Sequence, residues 1–597
     1  MLTLLSLLVS SHAVCSHSAP SCTVGVGQTH PDLATAIAAG CTDIDVVGNV
    51  TENISISGVG DVSITGGTLT SAASGSPIVE MLDSELCLTD IEMTGGTGGT
   101  SVPCGGAVRI GPNATFDGRG IWAHDNDATD GGAFCLEGLS VLGSSYIRTN
   151  SATGEGGGIY VEAQYRGGLG ELVTNLRGNL IQGNDAARGG GVAVRRGHPS
   201  GLVRFASDEL YYNDASEAGG GIWVDDATVQ VFFGLTVEGN AVSAGPGGGM
   251  HLQNGAVFGP AEDDYGSWQM TFYGNSAWTS GGGISAIGGS YITLAPFGYL
   301  ELTDNLARRD DGGGIALVDS TLDNLAGMFP LAGTPGCDLQ LYDNEARFGR
   351  GGGLFALDST VTFAPTDAVP GTQLNGNVAA GSGGGMFLRN TTATLYSVFV
   401  DDNLSSADGG GIFAGGSSTV SLERMPVQRN SATGDGGGIR VAGSATLTAG
   451  NLLLAENTAA AGGGLSASDP NTTTSLYFTT LSQNTAATGA PSHQLFGGGD
   501  FFLRDSAVGD SAAGQTACSF GATAQVVYST ADDAACFPNT HFANATVASL
   551  DVEPTFNYQP LASSPLVDAA SGIANDEDVW GNSRPGGTAN DRGAVER

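Results

Sequence analysis

The chain has 597 residues, more than one ordinary globular core holds, so it is multi-domain or a repeat array. Its formal net charge is −39, and all 21 basic residues are Arg; this argues against nucleic acid or an anionic membrane as partner, since phosphate must be neutralised by cations. The lack of Lys also removes Schiff-base chemistry and phosphate-gripping P-loops. Glycine, at 97 residues, does not fall at every third position, which excludes collagen, and 41% apolar content excludes a disordered chain.

Residues 1–13 form an apolar run ending in Ser11-His12-Ala13, the pattern of an exported protein's signal peptide, although no basic residue precedes it. Cys15 leaves a lipid anchor as an alternative, but His12-Ala13-Val14 departs from the usual small-residue lipobox. No stretch is long and apolar enough to predict a transmembrane helix. His30 to Gly40 carries helix punctuation, Pro31 and Asp32 at the start and Gly40 at the end, and predicts a short capping helix. Asp43–Gly48, Val50–Ile56 and Val62–Ile64 read as strands that open a stack, so residues 22–100 form a cap and first coils.

One phrase then recurs through residues 101–500: an apolar residue, an Asn three positions later, a small residue two after that, and soon three glycines and another apolar residue. Leu454, Asn457, Ala459 and Gly462-Gly463-Gly464-Leu465 give it in compact form. The asparagines are Asn150, Asn184, Asn213, Asn240, Asn275, Asn305, Asn344, Asn377, Asn403, Asn430, Asn457 and Asn484. Glycine clusters start at intervals of 25 to 39 residues, the shorter interval being the unit and the longer ones carrying inserted loops. No 3.6-residue periodicity lies between copies, and triple glycine would break a helix. Strand, turn, strand, Asn turn and Gly turn make one lap of a coil, with Ile, Val, Leu and Phe inside. The expected fold is all-β, a right-handed parallel β-helix solenoid with a short N-terminal capping helix. A leucine-rich horseshoe would need a Leu frame leading into a helix where Ala and glycines stand. In this reading each Asn amide satisfies turn groups and bonds its counterpart one lap away. The glycines supply positive φ or close backbone approach. Residues 501–597 complete the last coils and a C-terminal cap.

None of the nine cysteines forms a CxxC pair, so zinc ribbons are not supported. Cys22 with Cys41, and Cys518 with Cys536, are the natural disulfide pairs near the two ends, suited to an oxidising compartment, though spacing alone does not establish connectivity.

The paired Gly-Gly-x-apolar and apolar-x-x-Asn motifs over residues 100–500 resemble the repeats of bacterial polymorphic outer-membrane proteins. The tail, from Ser564-Pro565-Leu566-Val567-Asp568 to Asp591-Arg592-Gly593-Ala594-Val595-Glu596, is similar to the closing motif of choice-of-anchor Q proteins. The head, with Ile37, Val46-Val47-Gly48 and Glu52-Asn53-Ile54, resembles the entry cap of pectin-lyase-like β-helices. These resemblances imply an exported protein at a bacterial surface, outer membrane or extracellular space, with an adhesion or structural role.

Pectin-lyase-like folds also host polysaccharide lyases and hydrolases, so a carbohydrate-active enzyme is the alternative. The carboxylate pairs Asp225-Asp226, Asp310-Asp311 and Asp401-Asp402 are present, but only Asp310-Asp311 lies beside an Arg pair, Arg308-Arg309, in sequence. The Asn-Thr-Asp, Gly-Asp-Asp and Gly-His-Gly phrases of β-helix glycosidases do not occur. His124, His198, His251 and His493 have no evident metal partners and read as solvent-facing or loop residues. No catalytic residue and no cofactor is expected; calcium is the metal that acidic loops would take. A protein or glycan ligand would contact the flank, where inserts near 165–175, 195–205, 255–270 and 325–340 carry Tyr165, Phe205, Tyr265, Trp268 and Phe329.

Overall fold

The fold is an all-β parallel solenoid, seen in a computed structural model that describes residues 21–98, 104–163, 174–199, 201–260, 268–294, 298–324, 338–363, 371–487 and 493–509, and shorter stretches between 516 and 595. The leader with Cys15 lies outside the described residues, as do Tyr165, Tyr265 and Phe329. By internal contacts the chain divides into two compact units, Met1–Asp264 with Trp268–Ala277, and Tyr265–Ser267 with Trp278–Arg597.

Each lap has three walls. The first is a short strand directly after the third glycine, as in Ile222–Asp225 or Ile412–Gly415. Alternation sends Ile222 and Val224 inward and Trp223 outward. The second wall is longer and bends at one left-handed residue; Thr228–Glu238 turns at Phe233 (φ 71°), and Thr419–Gln428 at Arg424 (φ 55°). The third is a two-residue strand after the Asn, as in Ala241–Val242 and Ser431–Ala432. Pairing from lap to lap is parallel and in register: in the first unit Val192↔Ile222↔Met250, in the second Ile412↔Ile439↔Leu465↔Leu495. These stacked apolar columns are the core, each fully buried Leu or Ile contributing about 1.5–3 kcal/mol. Among the described residues one α-helix, Leu33–Ala38, follows the strand Ser21–Val24. Asp32 caps it by accepting from Thr35 N, and Glu52 accepts from Leu33 N and Ala34 N.

The asparagines form relays. In the first unit the order is Asn126, Asn150, Asn184, Asn213, Asn240, Asn275; in the second it runs from Asn305 and Asn344 through Asn377, Asn403, Asn430 and Asn457 to Asn484. Each Oδ1 accepts from both the backbone N and the Nδ2 of the preceding lap's Asn: Asn305 N and Nδ2 reach Asn344 Oδ1 at 3.1 and 3.0 Å. The Nδ2 of the accepting Asn in turn donates back to the carbonyl of the apolar residue three before the preceding Asn, as Asn344 does to Leu302 at 2.8 Å. That is why the phrase is apolar-x-x-Asn: the apolar side chain fills the core while its carbonyl holds the next lap's amide. Asn126 begins the relay one lap earlier than the repeat reading expects, and Gln494 Oε1 receives Asn484 Nδ2 at 2.6 Å. The residue before each Asn is left-handed, Gly376 and Asp343 alike.

The three glycines do different work. In Gly312-Gly313-Gly314 only the first has positive φ, 72°. A Cβ on Gly313 would stand 2.6 Å from Glu345 N, and one on Gly314 would stand 2.7 Å from Gly353 O and 3.1 Å from Asn344 Cγ. The second and third therefore let neighbouring laps close over the Asn relay. The small residue after the Asn follows from the same closeness: Ala346 is fully buried, and of the two positions that are not Ala, Val242 is buried and the Ser405 hydroxyl donates to Gly381 O at 2.8 Å.

A second polar relay occupies the bend of the long wall. Ile121 N donates to Ser145 Oγ, Ser145 N to Asn179 Oδ1, and Asn179 N and Nδ2 to Asp208 Oδ1 at 2.9 and 2.8 Å. Asp208 Oδ2 accepts from Ala206 N at 2.9 Å. Both oxygens must accept, so Asp serves here where an Asn amide would face a donor. Burial of Asp208 pushes its pKa up to about 7, against the hydrogen bonds that favour the charge.

Two outcomes test this description. Asn344→Ala strands the Asn305 donors and the Leu302 carbonyl, so it lowers unfolding free energy by at least about 2 kcal/mol in denaturant titration. An acid with a raised folded pKa loses proton-linked stability as pH climbs from its unfolded value toward its folded one. The parent therefore carries a component of stability that declines between pH about 4 and about 7, and this component is absent from Asp208→Asn when melting is followed against pH.

Candidate binding surface

The residue four before each Asn points outward, because the residue three before points into the core. In the first unit this places Glu92, Trp122, Tyr146 and Leu180 in one register row across successive laps. Trp122 and Tyr146 are 47% and 54% exposed, on strands that lie about 4.8 Å apart. The adjacent row holds Thr94, His124, Arg148 and Gln182. The His124 ring lies 4.6 Å from Trp122, centroid to centroid. Its Nδ1 meets Asp125 Oδ2 at 2.8 Å and its Nε2 meets Glu92 Oε1 at 3.0 Å. Burial works against the imidazolium, yet these two carboxylates raise its pKa above the ordinary histidine value. Further along the wall Tyr212, Phe233 and Tyr273 are also exposed, Tyr212 lying over Gly239.

In the second unit the part of the corresponding row from Phe399 onward is covered by the chain itself. Phe399, Pro426 and Leu453 stand four before their asparagines, followed in register by Thr480 and Ala507. Trp580 lies 6.1 Å from Phe399 by ring centroid, and Val579, Ala594 and Val595 pack on Leu453 and Ala455. Ala594 N donates to Thr480 Oγ1 at 2.9 Å and Gly593 N to Asp505 O at 3.0 Å. Leu566 packs with Leu550 on Ala507.

The outer face of the glycine wall carries a charged cluster around the buried Trp223 and Glu155 in the first unit. Trp223 sits between Arg188 and Arg195, 5.5 and 5.8 Å from its ring centroid. Glu155 reaches Arg188 at 3.0 Å and Arg195 at 3.5 Å, and Arg195 Nε is 3.7 Å from Asp225 Oδ2. Burial raises the pKa of Glu155 despite these arginines. Sequence adjacency therefore misleads about which carboxylates meet arginine. Lap pairing sets Asp225 opposite Arg195, and Asp226 bonds Arg196 at 2.8 Å, whereas Asp311 pairs with Arg350 at 2.8 Å and Arg309 lies over Trp278 at 4.6 Å. Asp401 and Asp402 both meet Arg429, and burial lifts Asp401 to about 6.

Two histidines also differ from expectation. His251 is 2% exposed on the glycine wall, and burial pushes its pKa down to about 4. His493 is buried and its Nδ1 accepts from Ala486 N at 2.7 Å. Phe205, expected in an insert, is a fully buried core residue of the strand Leu202–Tyr211. Trp268 begins a strand, Trp268–Tyr273.

Cys22–Cys41 and Cys518–Cys536 are disulfides with Cα separations of 6.0 and 4.9 Å. A third, Cys104–Cys135, at 5.5 Å, joins adjacent laps beside Tyr160 and Trp223. Its two cysteines each follow or precede unremarkable residues, and only lap register shows that they meet.

The fold and these surfaces define the class, a parallel β-solenoid protein. Compared with known family models, curated proteins and solved structures, the chain matches none. No helix among the described residues is long and apolar enough to cross a membrane.

His124 supplies a test of this surface. A histidine whose folded pKa is raised contributes stability below its unfolded pKa and loses it as pH rises through the folded value. Upward from about pH 6.5 the parent loses a small increment of stability that His124→Gln lacks, measured as melting temperature against pH.

Proposed function

We propose that this is an exported β-solenoid of a bacterial surface or the medium around it, which binds its ligand without converting it, and that the ligand is a neutral glycan. The observation that carries the reading is the outward row of Trp122 and Tyr146, half exposed on neighbouring strands and flanked by the hydrogen-bonding groups of Glu92, Asp125, His124 and Arg148. Flat aromatic faces with polar rims suit sugar rings, which present C–H faces and hydroxyl edges. The carboxylates around the row and the net charge of −39 favour uncharged over uronate-rich chains. The likeness of the repeats to polymorphic outer-membrane proteins, and of the tail to choice-of-anchor Q proteins, supports the surface location.

Affinity electrophoresis against neutral and uronate polysaccharides tests this. Retardation by a neutral polymer is expected, weakened at least about tenfold in Trp122→Ala, a loss of about 1.4 kcal/mol. Retardation only by uronate polymers, or none, overturns the glycan assignment. The cluster of Glu155, Arg195 and Asp225 is the observation that favours the enzyme alternative. Released oligosaccharides that disappear in Glu155→Gln would replace the binding reading with that one.

A further inference from the structure

Among the described residues, one group brings three metal-ligating side chains together: Cys22, His30 and Cys41, whose ligand atoms all lie within 4.8 Å of one another. His30 Nε2 is 3.7 Å from Cys41 Sγ. In a tetrahedral zinc site, with Zn–S of about 2.3 Å and Zn–N of about 2.0–2.1 Å, the S···N edge is about 3.6 Å. The backbone fixes all three donors. Cys22 lies in the strand Ser21–Val24, paired with Ile44. His30 N donates to Thr23 O at 3.1 Å, and Gly25 N to His30 O at 3.0 Å. Cys41 N donates to Ala36 O at 3.1 Å, behind the helix Leu33–Ala38. In the structure the two sulfurs are joined, so the thiolates a metal needs are tied up in the disulfide.

We infer that Cys22, Cys41 and His30 form a redox-gated site for a thiophilic divalent cation, zinc by preference: a disulfide staple when oxidised, a Cys2His centre with one open position when reduced. The chemistry balances with a dithiol as reductant. It passes two electrons and two protons to the Cys22–Cys41 bond and closes into its own disulfide. The cation then displaces both thiol protons to solvent, and His30 binds through the lone pair on Nε2. The setting separates this pair from the other two described disulfides. Cys104–Cys135 sits among Tyr160, Ala193, Ala218 and Trp223, and neither it nor Cys518–Cys536 belongs to a group of three or more metal-ligating side chains among the described residues. The acidic chain without Lys supplies a field that favours a cation.

The test uses the full chain and cobalt as a spectroscopic stand-in for zinc. After anaerobic reduction and removal of the reductant, titration with Co2+ should give a tetrahedral, thiolate-bound spectrum saturating at one ion per chain and bleached by Zn2+. The oxidised chain should give none. His30→Gln should weaken binding at least about tenfold, while a Cys104→Ser, Cys135→Ser double variant keeps the spectrum. Far-UV circular dichroism of the same samples reports whether the reduced cap stays folded. A reduced chain with no thiolate spectrum, folded or not, overturns the inference, as does a spectrum indifferent to His30→Gln or surviving Cys22→Ser.

Discussion

From Asn126 to Asn484 the coil depends on the side-chain amide of one asparagine per lap. A solenoid corner has backbone groups that no sheet pairs, and burying them without partners costs about 1–3 kcal/mol each. The Asn answers with a carbonyl that accepts twice and an amide that donates twice, so the corner and its neighbour are satisfied by one residue, as Asn305 and Asn344 show. Because each amide closes on the next, the corner can be repeated without adjustment. Other features of the repeat serve that closure: a glycine over the Asn, a small residue beside it, and a left-handed residue before it.

The relays also differ in how they end. The Asn series in the second unit stops at Gln494, whose longer side chain still accepts from Asn484 and passes its own amide to Gly509 O at 2.7 Å. The series at the bend stops at Asp208, where a carboxylate must accept on both oxygens. A neutral series thus ends in an amide and the other in a titratable acid, and only the second makes a lap sensitive to pH. Outside the core, the chemistry is set by what stands opposite across laps. Arg195 faces Asp225 and Glu155, and Arg350 faces Asp311 and lies over Phe355 and Phe387.

The repeat, two of the three walls and the inward columns were legible in the sequence, because alternation and the apolar-x-x-Asn spacing are local signals; the two-residue strand after each Asn, read as a turn, was not. The roles of the individual glycines were only half legible: Gly312 needs its φ, but what crowds Gly313 and Gly314 belongs to the next lap. The outward aromatic row was legible in principle, since Trp122 and Tyr146 stand four before Asn126 and Asn150 and must point outward. Attention to the inserts instead led toward Phe205, which is core. Cys104–Cys135 and the pairing of Arg195 with Asp225 were not legible, because loop insertions vary the lap length and only three-dimensional register says which residues are opposite.

The segment that carries Trp580 and Ala594 gives the second unit a property that stacking alone would not. A plain solenoid can be peeled from its end, each lap detaching at the modest cost of one interface. Here residues 114 positions apart are joined, Ala594 to Thr480, and the same strap touches Phe399, Leu453, Ala455 and Asp505. Detaching any one of these laps therefore requires contacts on several to be lost together. These contacts turn a stack of separable rungs into a splice that opens as one piece.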